Sequence, residues 1–142
     1  MRVIVPGLVS VTFRQLAPAA VVDLAVRAGL CGIEWGADVH VPDVPAARRV
    51  ASLTGDAGLV VACYGSYLRL GEGDGDPRAV VDAATALGAP LIRVWAGRLP
   101  STQAGAAHWT AVVDDARRVA ALAADAGIEI AFEYHRNTLI DT

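Results

Sequence analysis

The sequence predicts an alternating α/β fold built on a parallel sheet. Four similar tripeptides punctuate the chain, and their glycines lie 29, 30 and 39 residues apart. Each follows a helix-like stretch and precedes a strand-like one, where glycine supplies the left-handed residue that ends a helix. Strand, helix, strand at this spacing indicates right-handed βαβ units. The tripeptides are Ala28-Gly29-Leu30, Ala57-Gly58-Leu59, Leu87-Gly88-Ala89 and Ala126-Gly127-Ile128.

Hydrophobic periodicity places five strands and four helices along the chain. The strands are predicted at about 8–13, 31–35, 59–64, 90–95 and 128–133. Pro18 opens the first helix, and Asp76 caps a later one that has Pro77 in its first turn. The longest helix is predicted from Ser101 or Thr102 to Ala126.

Two architectures accommodate this order of elements. A spacing near 30 residues matches consecutive units of an eight-unit barrel of about 250 residues, of which this chain would hold the first part. The alternative is a complete five-stranded doubly wound sheet. Such a sheet normally ends with a helix over its last strand, whereas only nine residues follow Glu133. The partial barrel is therefore favoured, as a single domain over residues 1–142.

Composition narrows the choice of partners. The net charge of −3 and the pI near 5.5 provide no basic surface for nucleic acid or an anionic membrane. No uninterrupted apolar run reaches about 18 residues, so no membrane span is predicted. Cys31 and Cys63 fall in predicted strands without metal-ligand spacing, which is typical of buried, reduced thiols in a cytoplasmic protein.

Strand alternation directs three charged side chains toward one axis. Side chains on a strand point alternately to its two faces. If Ile92 and Val94 face the helices, then Arg93 and Trp95 face inward. The same parity directs Glu34 and Glu133 inward on the second and fifth strands. All of them lie near carboxyl ends of strands, where barrels and open α/β sheets place their sites.

Neighbouring histidines extend this candidate site. His135 follows Glu133 by two residues, and the loop after the second strand brings Asp38 and His40 to the same end as Glu34. Structural ion pairing inside a polar interior is the competing interpretation of these charges, and for Arg93 the two interpretations are evenly balanced.

A carboxylate with histidines around one opening suits a divalent metal. Carboxylate oxygen and imidazole nitrogen accept Mn²⁺, Zn²⁺, Co²⁺ or Mg²⁺. A metal bound to adjacent hydroxyl and carbonyl oxygens of a sugar acidifies the C–H between them, and a carboxylate can then move that proton. The predicted chemistry is therefore isomerisation or epimerisation.

Three segments together resemble the xylose-isomerase-like TIM barrel superfamily of sugar-phosphate isomerases and epimerases, which also contains AP endonucleases. They are Gly32–His40, Leu91–Gly97, and Phe132–His135 with Thr138–Thr142. The resemblance implies that Glu133 binds the catalytic metal and acts as an acid/base. It also implies a substrate pocket lined by Glu34, His40, Arg93, Trp95 and His135.

The family's remaining metal ligands and its second acid/base glutamate come from strands six to eight. Those strands are outside this sequence, so we expect the isolated chain to be inactive unless another chain completes the barrel. The alternative function is a non-catalytic half-barrel that binds a small ligand or assembles with a partner through its open sheet edges. Nucleic-acid processing is the weakest hypothesis, because the chain is acidic and has no basic stripe.

Overall fold

The computed structural model describes residues 4–142, which form one sheet with helices against it. The strands are β1 (Gly7–Val9), β2 (Gly32–Gly36), β3 (Val60–Arg69), β4 (Leu91–Trp95) and β5 (Glu129–Phe132). The α-helices are α1 (Pro18–Arg27), α2 (Val44–Asp56), α3 (Pro77–Leu87) and α4 (Ala106–Ala124), and a short 3₁₀ helix spans Ser10–Phe13. No helix among these residues is long and apolar enough to cross a membrane.

The order of the strands decides between the two predicted architectures. All neighbouring strands are parallel and lie in sequence order, from β1 to β5. Each helix contacts the next one along the chain, as expected when every crossover advances in the same direction. A doubly wound sheet reverses its order at a switch point, and no reversal occurs here. The strands and helices are therefore consecutive (β/α) units of a barrel, as predicted.

The four punctuating glycines have the predicted conformation. Their φ angles lie between 68° and 73°. Gly88 shows the consequence, since its N–H donates to Thr85 O at 3.1 Å as α3 ends. The side chain of Asp76 caps the other end of α3 by accepting from the N–H groups of Arg78 and Ala79. Both ends of this helix are thus set by local sequence.

Three predicted element boundaries are wrong. The third strand continues to Arg69 instead of ending at residue 64. The first strand stops at Val9 instead of continuing to residue 13, because the buried hydroxyl of Ser10 accepts from Gly36 N at 2.9 Å and the chain turns into the 3₁₀ helix. The longest helix begins at Ala106, after Pro100 O has accepted two N–H groups in a separate turn and Gly105 has taken an extended conformation.

The apolar core lies between the sheet and the helices. Ile33, Ile92 and Val94 are fully buried on the helix-facing side of their strands. Trp35 is also fully buried, and its indole donates to Thr54 Oγ1 of α2 at 3.1 Å. The prediction that both cysteines are buried is wrong for Cys31, which precedes β2 and is exposed, since the strand begins one residue later than expected.

Candidate functional site

Three charged side chains meet on the sheet face opposite the helices. Arg93 on β4 donates through Nε to Glu34 Oε1 at 2.9 Å, and its Nη1 donates to Glu133 Oε2. The Arg93 side chain is 14% exposed, compared with 20% for Glu34 and 33% for Glu133. The structure thus brings together the three inward residues that strand parity predicts. One guanidinium lies between two carboxylates, which leaves the trio with one net negative charge.

A glycine makes this close approach possible. Gly65 on β3 pairs with Arg93 on β4 and lies next to Glu34 across the sheet. A Cβ atom at Gly65 would lie 2.7 Å from Glu34 Oε1 and 2.8 Å from Arg93 Nη2. Any other side chain would therefore displace the ion pair, so the missing side chain at Gly65 shapes the floor of the site.

Trp95 connects the ion pairs to the rim of the site. Its indole Nε1 donates to Glu133 Oε2, the same oxygen that accepts from Arg93. The second carboxylate oxygen, Oε1, makes no hydrogen bond within residues 4–142. Two donors on one oxygen fix the orientation of the carboxyl group and leave the other oxygen for a substrate or a metal.

An irregularity in β3 supplies two further residues that sequence reasoning missed. Between Gly65 and Arg69 the strand advances four residues while β4 advances only from Arg93 to Trp95. A bulge of this kind re-aims side chains. Tyr67 consequently meets the Trp95 ring edge-on at 5.3 Å between centroids, and the Arg69 guanidinium carbon lies 4.1 Å from the Trp95 centroid.

His135 lies beside this cluster. Its ring centroid is 5.2 Å from that of Trp95, with the two planes inclined by 36°. The turn that carries it is held by Leu139 N donating to Ala96 O at 2.9 Å and by Thr138 Oγ1 donating to His135 O at 2.7 Å. The predicted pocket residue His135 is therefore fixed next to Trp95 by its own turn.

His40 occupies a different environment. It is 4% exposed, and its ring nitrogens lie 3.0 Å from Ser10 Oγ and 3.1 Å from Leu16 O. Its ring also contacts Trp35 edge-on at 5.7 Å. Both nitrogens are engaged by the segment after β1, so the structure places His40 in the packing around that segment, and it makes no hydrogen bond to the Arg93 cluster.

Cys63 lies on the inner face beneath the ion pair. It pairs in register with Glu34 and is 6% exposed. Burial, followed by the negative charge of Glu34, raises the pKa of its thiol from 9.0 to about 11. The thiol is therefore protonated near neutral pH and has little nucleophilic character.

The acidic and imidazole groups in residues 4–142 do not make a metal site among themselves. No three His, Cys, Asp or Glu side chains of this range converge closely enough to hold an ion. Glu34 and Glu133 both point to Arg93, and within residues 4–142 each has one carboxylate oxygen without a donor, Oε2 of Glu34 and Oε1 of Glu133. A metal held here by Glu133 would need its other ligands from outside these residues.

Comparison with protein families identifies the family to which this fold is similar. A family model described as xylose isomerase-like TIM barrel matches residues 22–142. The curated protein sequences include no match to the chain.

Several solved structures share the fold. The probable 3-DHS dehydratase AsbF of Bacillus anthracis, described as involved in petrobactin synthesis, is 20% identical with a TM-score of 0.82, over 97% of this chain and 55% of that one. The 3-keto-D-glucoside 4-epimerase YcjR of E. coli is 18% identical with a TM-score of 0.71, over 96% of this chain and 58% of that one.

A D-psicose 3-epimerase, crystallised in the presence of D-fructose, is 14% identical with a TM-score of 0.71, over 89% of this chain and 51% of that one. The chain thus spans about half the length of these structures. At these identities the likeness establishes the shared fold.

Proposed function

Because this chain belongs to the xylose isomerase-like TIM barrel family, we propose that it contributes the Glu133 side of the active site of a sugar or sugar-phosphate isomerase or epimerase. The observation that carries this proposal is the Glu133 carboxylate at the end of β5. Arg93 and Trp95 hold one of its oxygens, and the other makes no hydrogen bond within residues 4–142. A positioned carboxylate with one open oxygen is suited to moving a proton.

In the proposed reaction, the Glu133 carboxylate takes the proton from the carbon next to the substrate carbonyl. For isomerisation it returns this proton to the neighbouring carbon, whereas for epimerisation a second acid from outside these residues would protonate the opposite face. Arg93 and Trp95 keep the carboxyl group oriented throughout. Glu34 holds Arg93 in place from the other side, at 2.9 Å. Positioning of this kind is effective because a misplaced base loses much of its rate advantage.

The surrounding side chains are proposed to bind the sugar. Trp95 and His135 form an aromatic wall beside Glu133, and sugar C–H faces pack well on such rings. Glu34 Oε2 has no hydrogen-bond partner within residues 4–142, so it is available to a substrate hydroxyl. His40 is proposed to act one step away, by fixing the loop that follows β2.

We further propose that the reaction depends on a divalent metal, Mn²⁺, Zn²⁺, Co²⁺ or Mg²⁺. Glu133 is the one ligand that these residues would contribute, and the others would come from further strands of the barrel. Such an ion would polarise the carbonyl and lower the pKa of the neighbouring C–H. A cytoplasmic location is also proposed, since both cysteines are unpaired.

The test uses the complete reading frame that contains these residues, including any in-frame continuation after Thr142. Ketoses and ketose phosphates are incubated in D₂O with Mn²⁺, and ¹H NMR follows loss of the signal from the proton next to the carbonyl. We expect exchange that stops with EDTA and that falls about 10²–10⁴-fold in Glu133→Gln.

Glu129→Gln is the matched control, because Glu129 is an exposed glutamate at the other end of the same strand. It should exchange at the wild-type rate. Undiminished exchange in Glu133→Gln would refute the assignment of the base. The 142-residue chain alone is expected to show no turnover, and full turnover by it would mean that no group outside this chain is needed.

A further inference from the structure

We propose that Arg69 is the binding site for an anionic group of the substrate, a phosphate ester or a carboxylate. The inference rests on the proposed function for its location beside Glu133, but the anion site itself is argued from the geometry of Arg69. It would narrow the substrate class from sugars in general to sugar phosphates or sugar-derived acids.

Arg69 is the half-buried arginine at this end of the sheet whose charge is not matched by a carboxylate within residues 4–142, whereas the similarly unpaired Arg136 is exposed. Arg14, Arg93 and Arg98 each form an ion pair within residues 4–142. Arg69 forms none within that range. The acidic groups closest to it are already engaged, since Glu72 and Asp74 pair with Arg98 and Glu133 pairs with Arg93.

The guanidinium of Arg69 is held in place from two sides. Its face stacks on Trp95, with the guanidinium carbon 4.1 Å from the ring centroid, and Nη1 donates to Gly97 O at 2.9 Å. An arginine has five N–H donors, and stacking uses the face rather than the edge. The remaining N–H groups have no acceptor within residues 4–142. They form the planar fork that binds phosphate or carboxylate oxygens in pairs.

Partial burial of Arg69 also favours an incoming anion. Partial burial and the nearby positive charge of Arg98 lower the pKa of Arg69 below its usual value of 12.5. A bound anion would replace the hydration that Arg69 has lost, while the negative charges of Glu72, Asp74 and Glu133 raise the same pKa and act against the anion.

The position of Arg69 suits a substrate that reaches Glu133. Trp95 presents its face to Arg69 and its indole N–H to Glu133. An anion on Arg69 and a carbon at Glu133 would therefore be separated by little more than one indole ring. The β3 bulge places Arg69 there, since without its two extra residues Tyr67 would take the position opposite Trp95.

Phosphate binding to the 142-residue chain tests the site without requiring turnover. The chain is titrated with inorganic phosphate and, separately, with acetate, and ¹H–¹⁵N NMR follows the Trp95 indole N–H. We expect a saturable shift in the wild type and a Kd for phosphate weakened about tenfold or more in Arg69→Gln. The Trp35 indole, which donates to Thr54, reports in the same spectra that the fold is intact.

Arg117→Gln is the matched control, since it removes the same charge from a side chain that is 77% exposed on α4. The Kd of the Arg117→Gln variant for phosphate should differ from that of the wild type by less than about twofold. Tighter binding of phosphate than of acetate would identify a phosphate ester as the natural group, and the reverse order a carboxylate. No saturable shift in the wild type, or an unchanged Kd in Arg69→Gln, would overturn the proposal.

The two proposals fail in distinguishable ways. If phosphate binds through Arg69 but the complete reading frame exchanges no proton next to a carbonyl, the proposed reaction is wrong and the anion site stands. If exchange occurs and Arg69→Gln leaves unchanged the ratio of kcat/KM for anionic substrates, phosphorylated or carboxylated, over neutral ones, the anion site is wrong and the reaction stands.

Discussion

At the scale of single residues, the inner face of the sheet is a polar surface held together by a few specific contacts. Arg93 is enclosed by Glu34, Glu133 and the backbone at Gly65, and each of these fixes one side of the guanidinium. Cys63 lies below this network and close to Glu34. The raised pKa of the buried Cys63 thiol predicts a measurable dependence of stability on pH.

We expect stability to fall as the pH rises from about 9 to about 11, in part because of Cys63. The folded-state pKa is raised from 9.0 to about 11, so within this window the folded state binds more protons than the unfolded state. The free energy of unfolding therefore decreases with pH there. Tyr64, whose pKa burial raises from 10.0 to about 12, contributes in the same direction at slightly higher pH.

Urea unfolding across this pH range measures the effect. Cys63→Ala should show a shallower fall between pH 9 and 11, whatever its stability at neutral pH. Cys31→Ala is the matched control, since Cys31 is exposed, and it should retain the wild-type slope. Equal slopes for both variants would show that the Cys63 thiol is not protected in the folded state.

Strand alternation explains why much of the site was predictable from sequence. A period of two leaves only two choices of face, and the buried Ile92 and Val94 fix that choice for Arg93 and Trp95. Arg69 was not predictable in this way. Its orientation depends on two extra residues in β3 relative to β4. The local sequence pattern does not predict where such a shift in register occurs.

At the scale of elements, a single capping aspartate sets the start of α2 and of α3, Asp43 and Asp76 respectively. Asp76 accepts from Arg78 N at 3.0 Å and from Ala79 N at 3.3 Å, while α1 and α4 have no side-chain cap. The α3 start was therefore readable from the Asp-Pro pair. The start of α4 was not predictable, because the residues after Pro100 resemble a helix start in sequence but form a separate turn, in which Gln103 and Ala104 donate to Pro100 O.

Asp76→Ala should destabilise the chain by about 0.5–2 kcal/mol, because two N–H groups of the first turn of α3 lose their acceptor. Chemical denaturation measures this loss. Asp82→Ala provides the control, since Asp82 is an exposed aspartate within the same helix, and it should change the free energy of unfolding by less than about 0.5 kcal/mol. Similar losses in the two variants would mean that charge, and not capping, accounts for the effect.

At the scale of the whole molecule, apolar surface remains exposed beside both outer strands. Near β5 an apolar groove of about 260 Å³ lies between α4 and the segment after the strand. Its lining includes Trp109, Val113, Phe132 and Ile140, each between 37% and 43% exposed. Near β1, Ile4 is 94% exposed. An outer strand also presents unpaired backbone groups to another chain.

We therefore expect the isolated chain to self-associate in a concentration-dependent way. Sedimentation equilibrium measures the mass, and the double variant Val113→Lys with Phe132→Lys should shift it toward the monomer because lysine disfavours burial of the groove. Val26→Lys is the control, on the exposed side of α1 and away from α4. A wild-type chain that stays monomeric at high concentration would contradict this expectation.

The sequence by itself determined the succession of (β/α) units and the inward direction of Glu34, Arg93, Trp95 and Glu133, because glycine conformation, helix caps and strand alternation are local properties. Only the tertiary structure decided how the strands are ordered, where His40 is packed and where Arg69 is aimed. The strand order and the packing of His40 depend on contacts between residues distant in the chain. The direction of Arg69 depends on the shift in register between β3 and β4, which the sequence of β3 alone does not specify.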